Sequence, residues 1–271
     1  MKTLRAITPN FIKYPYGQLR SLLNKMTFPK TVSCKVRGVV IKVGVNSEIE
    51  QFRVDTYNTK EPETLDWLDD NLRSDDVLID VGANIGLYSL YAAKINPKCR
   101  IYALEPAFQN FTNLCNNIVL NAVQNIIPCN FPLADRETFD VFFVSDIQPG
   151  SALHSFGQPS DFKVESNAIS LQQGALSMTL DALVSQYGLP QPSLIKIDVD
   201  GIEEKIIKGA QNVLQSKQMR TMLLEWSFRS DEDITRLEQT MRHLGYSLSR
   251  RSAWAEEHSG LKGQNFIFHR R

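Results

Sequence analysis

The sequence predicts an α/β fold with a doubly wound, mostly parallel sheet. Three observations carry this expectation. From Asp76 onward, strand-like runs alternate with helical ones, the succession that parallel crossovers produce. The run "DVLID" at 76–80 is almost continuously apolar, as a strand covered on both faces is. That run ends in an acid followed by a glycine-rich turn, "DVGANIG" at 80–86, and such sheets bind ligands beyond the carboxyl ends of their strands.

The elements follow in order. Residues 1–30 predict short helical pieces around Leu19, Leu22, Leu23 and Met26. "CKVRGVVIKVGV" and "EIEQFRVDTY" predict two strands joined around "NSE" as a hairpin. Pro62 suits a first helical turn, and Leu65, Leu68 and Leu72 then recur at helical spacing. After the strand ending at Asp80, a helix from Gly86 to Ile95 stops before Pro97. "RIYALE" is a second strand, and Pro106 opens a helix with Phe108, Phe111, Leu114 or Cys115, and Ile118 on one face. "NIIPCNFPLAD" carries a short third strand, and "FDVFFVS" is a hairpin arm or an extra strand. Residues 147–174 are polar and rich in Gly, Ser and Pro, a long loop over the domain. "TLDALVSQYG" is a short helix, "SLIKID" the fourth strand, "DGIEEKIIKGAQNVL" the fourth helix and "TMLLEWS" the fifth strand. "DEDITRLEQTMRHLG" is a helix with an acidic start and a terminal Gly245. "YSLSR" and "QNFIFHR" form an antiparallel C-terminal strand pair. The expected organisation is a basic arm and hairpin extension over 1–60 and the main domain over 61–271.

The 271 residues contain 30 Lys+Arg and 30 Asp+Glu, but the balance is not local. Nine Lys/Arg and no acid precede Asn46. That asymmetry fits an anionic partner, or a solvated arm or lid. The four cysteines lack metal or redox spacing and fit reduced, core-like residues of a cytoplasmic protein. No apolar run reaches transmembrane length, and the N-terminus lacks the apolar core of a signal peptide.

The glycine-rich turn is the main candidate site. Gly82 and Gly86 allow a tight turn and close backbone approach, and the turn feeds a helix N-terminus. The second strand ends in Glu105, at the separation from which an acid reads a ribose in this architecture. A dinucleotide fingerprint would read G-x-G-x-x-G, whereas Asn84 stands at the second glycine and Asp80 lies two residues before the first. A fixed carboxylate repels a pyrophosphate and favours a cationic head. S-adenosylmethionine has a sulfonium, an amino-acid head and a ribose, and no phosphate. Asp80 would favour its methionyl head, directly or through water, and Glu105 would hold the ribose hydroxyls.

The string D-V-G-A-N-I-G followed by Leu87-Tyr88-Ser89 resembles the cofactor loop of the FkbM-type methyltransferases. "YALEP", "TLDAL", "LIKIDVDGIEEKIIKGA" and "LLEW" continue the resemblance in order, over roughly Glu61 to Ser227. Where that family typically has Glu, this chain has Asp200, one methylene shorter. The resemblance implies a Rossmann-like class I methyltransferase sheet. It also implies S-adenosylmethionine bound by Asp80, Gly82, Asn84 and Glu105, with Gly86 completing the turn. Asp135, after the third strand, is placed to read the adenine amino edge, or is simply part of a polar turn.

The acceptor is expected near the ends of the fourth and fifth strands, where Asp198, Asp200 and Glu225 gather. Asp198 is the first choice for a base or an acceptor-orienting group, Glu225 the second and His154 the third. Asp200 resembles a helix-capping acid with Glu203 three residues on. Lys196 is expected to pair with a neighbouring acid. Asp198 with Glu225 could instead hold a divalent cation, but a third ligand is not evident and no metal is assigned. His243, His258 and His269 read as surface residues. The place where base-methylating enzymes tend to carry an Asn/Asp-Pro-Pro-aromatic turn reads Asp198-Val199-Asp200-Gly201, which disfavours a nucleic-acid substrate. The expected activity is O-methylation of a hydroxyl on a sugar or natural-product small molecule. Residues 147–174, the basic arm and "TYNTKEP" at 56–62 would shape the mouth. A homo-oligomer exchanging the arm, a dinucleotide-dependent oxidoreductase and a non-catalytic interaction module are the other readings.

Overall fold

The computed structural model describes residues 30–158, 169–253, 256–258 and 261–271. The helical pieces expected around Leu19 to Met26 lie outside the described residues. Thr31–Arg271 forms one compact unit. The chain opens on β1 (Lys30–Val36) and β2 (Val39–Val45), followed by α1 (Glu48–Asp55) and α2 (Pro62–Asn71). Then come β3 (Val77–Val81), α3 (Leu87–Ile95), β4 (Arg100–Leu104), α4 (Phe108–Leu120) and β5 (Ile126–Cys129). A side sheet follows from β6 (Thr138–Val144), β7 (Ser155–Phe156) and β8 (Leu171–Ser177). The second half runs α5 (Leu180–Ser185), β9 (Leu194–Ile197), α6 (Glu203–Lys208), α7 (Gln211–Gln215) and β10 (Thr221–Phe228). It ends with α8 (Asp231–His243), β11 (Tyr246–Arg251), β12 (Glu256–His258) and β13 (Leu261–Arg270).

The main sheet is ordered β11-β13-β10-β9-β3-β4-β5, with β12 on β13. β3, β4, β5, β9 and β10 are parallel, and β13 runs antiparallel to β10 and β11. The chain departs from β3 first toward β5 and later toward β10, so the switch point lies between β3 and β9. Core covers both faces. Ile79, Ile195 and Leu224 pack on one side with Ile234, Leu237 and Met241 of α8. Leu78, Leu194 and Leu223 pack on the other with Trp67, Leu90 and Tyr91. Side chains alternate along a strand. Asp80, Lys196 and Glu225 therefore share the face of Leu78, Leu194 and Leu223. No helix among the described residues is long and apolar enough to cross a membrane.

The structure departs from six expectations. The hairpin turns at Arg37-Gly38, not at "NSE", because both residues have positive φ (47° and 91°), the backbone of a tight two-residue turn. "EIEQFRVD" is helical, not a strand: Ser47 accepts from the Glu50 N–H, and Glu50 accepts from the Ser47 N–H, a reciprocal cap. The boundary drawn at residue 60 is no break in packing, since Val36, Ile41 and Val43 share one core with Trp67 and Leu90. The fourth helix is two, split at Gly209-Ala210, and the chain passes so close there that a Cβ on Gly209 would sit 2.1 Å from the Ala134 carbonyl oxygen. Part of the expected loop 147–174 is ordered strand, with β8 pairing along β6 from Thr138↔Ser177 to Val144↔Leu171. On α4, Phe108 is exposed, and the buried face carries Asn110, Asn113 and Asn117 beside Leu114.

Candidate active site

A cavity of about 280 Å³ opens at the carboxyl ends of β3, β4, β9 and β10. Gly82, Asn84, Glu105, Asp198 and Glu225 all border it. Phe131, Pro132 and Leu133 make one end apolar, and Ser151–Phe156 form a wall.

The turn after β3 has no free amide from Gly82 to Gly86. The Gly82 and Ala83 N–H groups both reach the Leu104 carbonyl at 3.0 Å, and Gly86 N–H donates to the Ala83 carbonyl at 2.8 Å. Asn84 N–H donates to Glu105 at 2.8 Å, and Ile85 N–H to the Asn84 side-chain oxygen at 2.9 Å. Asn84 sits at φ 50°, a left-handed conformation that Asn adopts more readily than most residues. Gly82 lies at φ 78°, and a Cβ there would fall 1.9 Å from the Asp198 carbonyl oxygen. Its bare Cα thus lets β3 and β9 close on each other as well as bordering the cavity. Gly82→Ala is expected to cost roughly 2–5 kcal/mol, combining left-handed backbone strain with a clash against rigid main chain; thermal denaturation checks it. Gly86 lies outside the cavity lining, and a Cβ there would meet Leu114 at 2.4 Å, so its glycine serves the α3–α4 contact.

Asp80 is sealed in, at 1% exposure. One carboxylate oxygen accepts from Ser89 Oγ at 2.6 Å. The other lies 3.7 Å from Lys196 Nζ and has no hydrogen bond. Strand register sets this up, because Asp80 and Lys196 are direct partners between β3 and β9. Lys196, expected to pair with an acid, also donates to Asp198 at 2.6 Å and lies 5.2 Å from the Tyr88 ring centre. Burial disfavours the ammonium, but the carboxylates of Asp198, Asp80 and Glu61 outweigh it and hold its pKa high. For Asp198, burial works against ionisation, yet Lys196 and a hydrogen bond from Glu225 depress its pKa strongly. Glu225 moves the other way: burial and then the neighbouring Asp198 charge hold it protonated well above the ordinary carboxyl range. Glu225 hydrogen-bonds to Asp198, and Lys196 stands behind the pair. Among the described residues no three His, Cys, Asp or Glu side chains converge as a metal-ligand set.

Glu105 is buried at the end of β4, and burial pushes its carboxyl up to about 7 despite N–H donors from Ala107 and Asn84, at 2.8 Å each. Asp200 is not a cap, because the N-cap of α6 is Ile202. Its carboxylate accepts from the Leu153 N–H at 2.6 Å and from the His154 N–H, tying the cavity wall to the end of β9. Burial and the Asp198 charge raise Asp200 to about 6.

His154 borders the cavity, but its ring is committed. The Ser145 N–H donates to Nδ1 at 3.2 Å, so the neutral ring carries its proton on Nε2, facing Ser151 Oγ at 3.3 Å. Burial lowers its pKa to about 4. Its Nδ1 lone pair is directed at the Ser145 N–H. Asp135 is exposed and does not line the cavity. Of the sequence-derived candidates, Gly82, Asn84, Glu105, Asp198, Glu225 and His154 come together there; Asp80, Gly86 and Asp135 do not line it. "TYNTKEP" reaches the mouth through Lys60 and Glu61.

The asparagine face of α4 was not anticipated. Asn110 binds the Gly150 N–H and the Ser151 carbonyl, Asn113 binds Glu50, and Asn117 binds the Gly44 N–H and the Ile85 carbonyl. Asn121 brackets Lys42 from both its N–H and its carbonyl. Asn110, Asn113, Asn117 and Asn121 recur at helical spacing in the sequence, a signal that a search for apolar stripes passes over.

The strand order, with the switch point between β3 and β9 and β13 antiparallel beyond β10, defines a class I methyltransferase fold. The Methyltransferase FkbM domain matches residues 80–248, and the chain belongs to that family. Hexuronic acid methyltransferase AglP of Haloferax volcanii is 27% identical over 182 residues, 67% of this chain and 69% of that protein. The 31-O-demethyl-FK506 methyltransferase FkbM of Streptomyces tacrolimicus is 28% identical over 161 residues, 52% of this chain and 62% of the relative. Among solved structures, wild-type Trm5b of Pyrococcus abyssi matches with a TM-score of 0.50 at 10% identity, over 90% of this chain and 56% of that one, a likeness of fold.

Proposed function

We propose that the chain is an S-adenosylmethionine-dependent O-methyltransferase acting on a hydroxyl of a sugar or natural-product small molecule. One observation carries the cofactor assignment: every amide from Gly82 to Gly86 is already bonded within the protein, so a pyrophosphate finds no donor in the turn where a dinucleotide needs one. The residues present fit a phosphate-free nucleoside. Glu105 offers a buried carboxylate to ribose hydroxyls, and Phe131, Pro132 and Leu133 offer an apolar slot for a flat base. When bound, the cofactor supplies an electrophilic methyl group on a sulfonium.

The chain's own contribution is to hold the acceptor and take its proton. Asp198 lies against Lys196 with its charge firmly held, which suits it to orient a hydroxyl and makes it a poor base. Glu225, held protonated by burial and by the Asp198 charge, gains base character as pH rises, so on this reading it takes the hydroxyl proton while Asp198 orients the acceptor. An oxygen acceptor is supported by the names of the relatives, one for a hexuronic acid and one for a 31-O-demethyl compound. The wall at Ser151–Phe156 would select it.

Titration calorimetry tests the cofactor. S-adenosylhomocysteine is expected to bind and NAD(P) not to, and Glu105→Ala should weaken the former by at least about a hundredfold, the lower end of the effect of losing two hydrogen bonds to a charged group. Binding of NAD(P) without the nucleoside sulfide would overturn the assignment. A screen with labelled cofactor against sugars and natural products then identifies the acceptor.

A further inference from the structure

Arg53 and Glu61 precede the stretch that defines the family and have no role in the turn after β3. Arg53 is nonetheless held in place. It lies in the last turn of α1, whose start is fixed by the Ser47–Glu50 cap and by Ser47 Oγ donating to the Pro149 carbonyl at 2.6 Å. Its Nε donates to the Gly150 carbonyl at 2.6 Å. Its two terminal amino groups have no hydrogen-bond acceptor among the described residues, although the side chain borders the cavity. Arg53 also borders a smaller adjoining recess of about 50 Å³, shared with Lys60, Glu61, Gly82 and Asp198. Glu61 is buried there, 3.3 Å from Lys60 Nζ and hydrogen-bonded to Tyr88.

We propose that Arg53 and Glu61 clamp the amino-acid head of the nucleoside cofactor, the guanidinium on its carboxylate and the Glu61 carboxylate on its ammonium. The inference rests on the cofactor reading above and fills a gap in it. The sequence assigns the methionyl head to Asp80, but Asp80 is sealed by Ser89 and Lys196 and borders neither the cavity nor the recess. The head needs both charges, and the recess supplies both. Arg53, Lys60 and Lys196 line the recess together with Glu61 and Asp198, a mixed-charge lining that suits a zwitterion. A phosphate would sit against Glu61 and Asp198. A carboxylated acceptor would engage Arg53 and leave Glu61 without a partner in the ligand.

Calorimetry on the full chain tests the clamp with S-adenosylhomocysteine, its decarboxylated analogue, its deaminated analogue and methylthioadenosine. The wild type should bind the parent at least about tenfold more tightly than either truncated analogue, as a charge-assisted contact implies. In Arg53→Met the gap to the decarboxylated analogue should shrink to about twofold, with methylthioadenosine affinity unchanged. The isosteric Glu61→Gln should close the gap to the deaminated analogue in the same way, which keeps the test decisive if the Arg53 variant folds poorly. A gap that persists in either variant overturns the clamp, and so does an Arg53→Met effect confined to the acceptor KM. If S-adenosylhomocysteine binds with Glu105 dependence and these variants bind as the wild type does, the clamp alone falls; if no adenosyl ligand binds, the cofactor reading falls with it.

Discussion

Glu225→Gln is expected to lower the methyl-transfer rate by about 10²–10⁴-fold, the usual contribution of a positioned general base, with cofactor affinity within a few-fold of wild type. Glu225 stands in the second half of β10 on the face shared with Lys196, and Gly263 of β13 leaves it room, since a Cβ there would come to 3.0 Å of its Oε1. Its proton is held by burial and by the Asp198 charge. The base form therefore appears as pH rises, and the wild-type rate should climb through the titration of Glu225. The glutamine variant should lose that limb. Asp198→Asn removes the like charge and should move the limb to lower pH, besides weakening acceptor orientation. Pre-steady-state methyl transfer on an identified acceptor, measured across pH, checks all three. A glutamine variant within threefold of wild type, with the same profile, would remove Glu225 from the reaction.

Lys196→Met should cost about 3–5 kcal/mol of stability at neutral pH, the range seen when one member of a buried ion pair is deleted. Lys196 is 2% exposed and faces Asp80, Asp198 and Glu61 at once. Methionine fills much of the volume and leaves the acids without a counter-charge. In the wild type the Asp198 pKa is depressed, so its stabilisation is present above the unfolded carboxyl pKa and fades as pH falls through the lower folded value. In the variant, burial raises the carboxyl pKa values, so the folded state binds more protons than the unfolded one between those values and stability falls as pH rises. The deficit should accordingly narrow between pH 7 and about 5. Urea titrations at both pH values measure it, and a deficit independent of pH would mean that lost packing, not charge, dominates.

The main sheet was legible in the sequence because each parallel strand is a short apolar run bounded by turn residues, as at Val77–Val81 and Leu194–Ile197. The acids at the strand ends were legible for the same reason, since a charged residue closing an apolar run stands out. The front of the chain was less so: "EIEQFRVD" alternates like a strand, and only the reciprocal Ser47–Glu50 bonds decide for a helix. Roles within the site were harder still. Whether Asp80 meets a ligand depends on which face Ser89 and Lys196 occupy, and that is a matter of register between strands more than a hundred residues apart. The lone pair of His154 is lost to a backbone N–H nine residues away, a contact that no spacing rule anticipates. Asp200 had the capping pattern and took a different partner, because the wall at Leu153 reached its carboxylate first in space, not in sequence.

The amide side chains along α4 seize peptide groups of the wall, the Gly150 nitrogen and the Ser151 oxygen, and leave the neighbouring side chains at Ala152 and Leu153 unengaged by them. The rim can consequently exchange its outward chemistry while its main chain stays moored. On the proposed function, selectivity can drift at Ala152 without loosening the scaffold beneath, whereas Leu153, at φ 63°, is restricted to residues that accept a left-handed backbone.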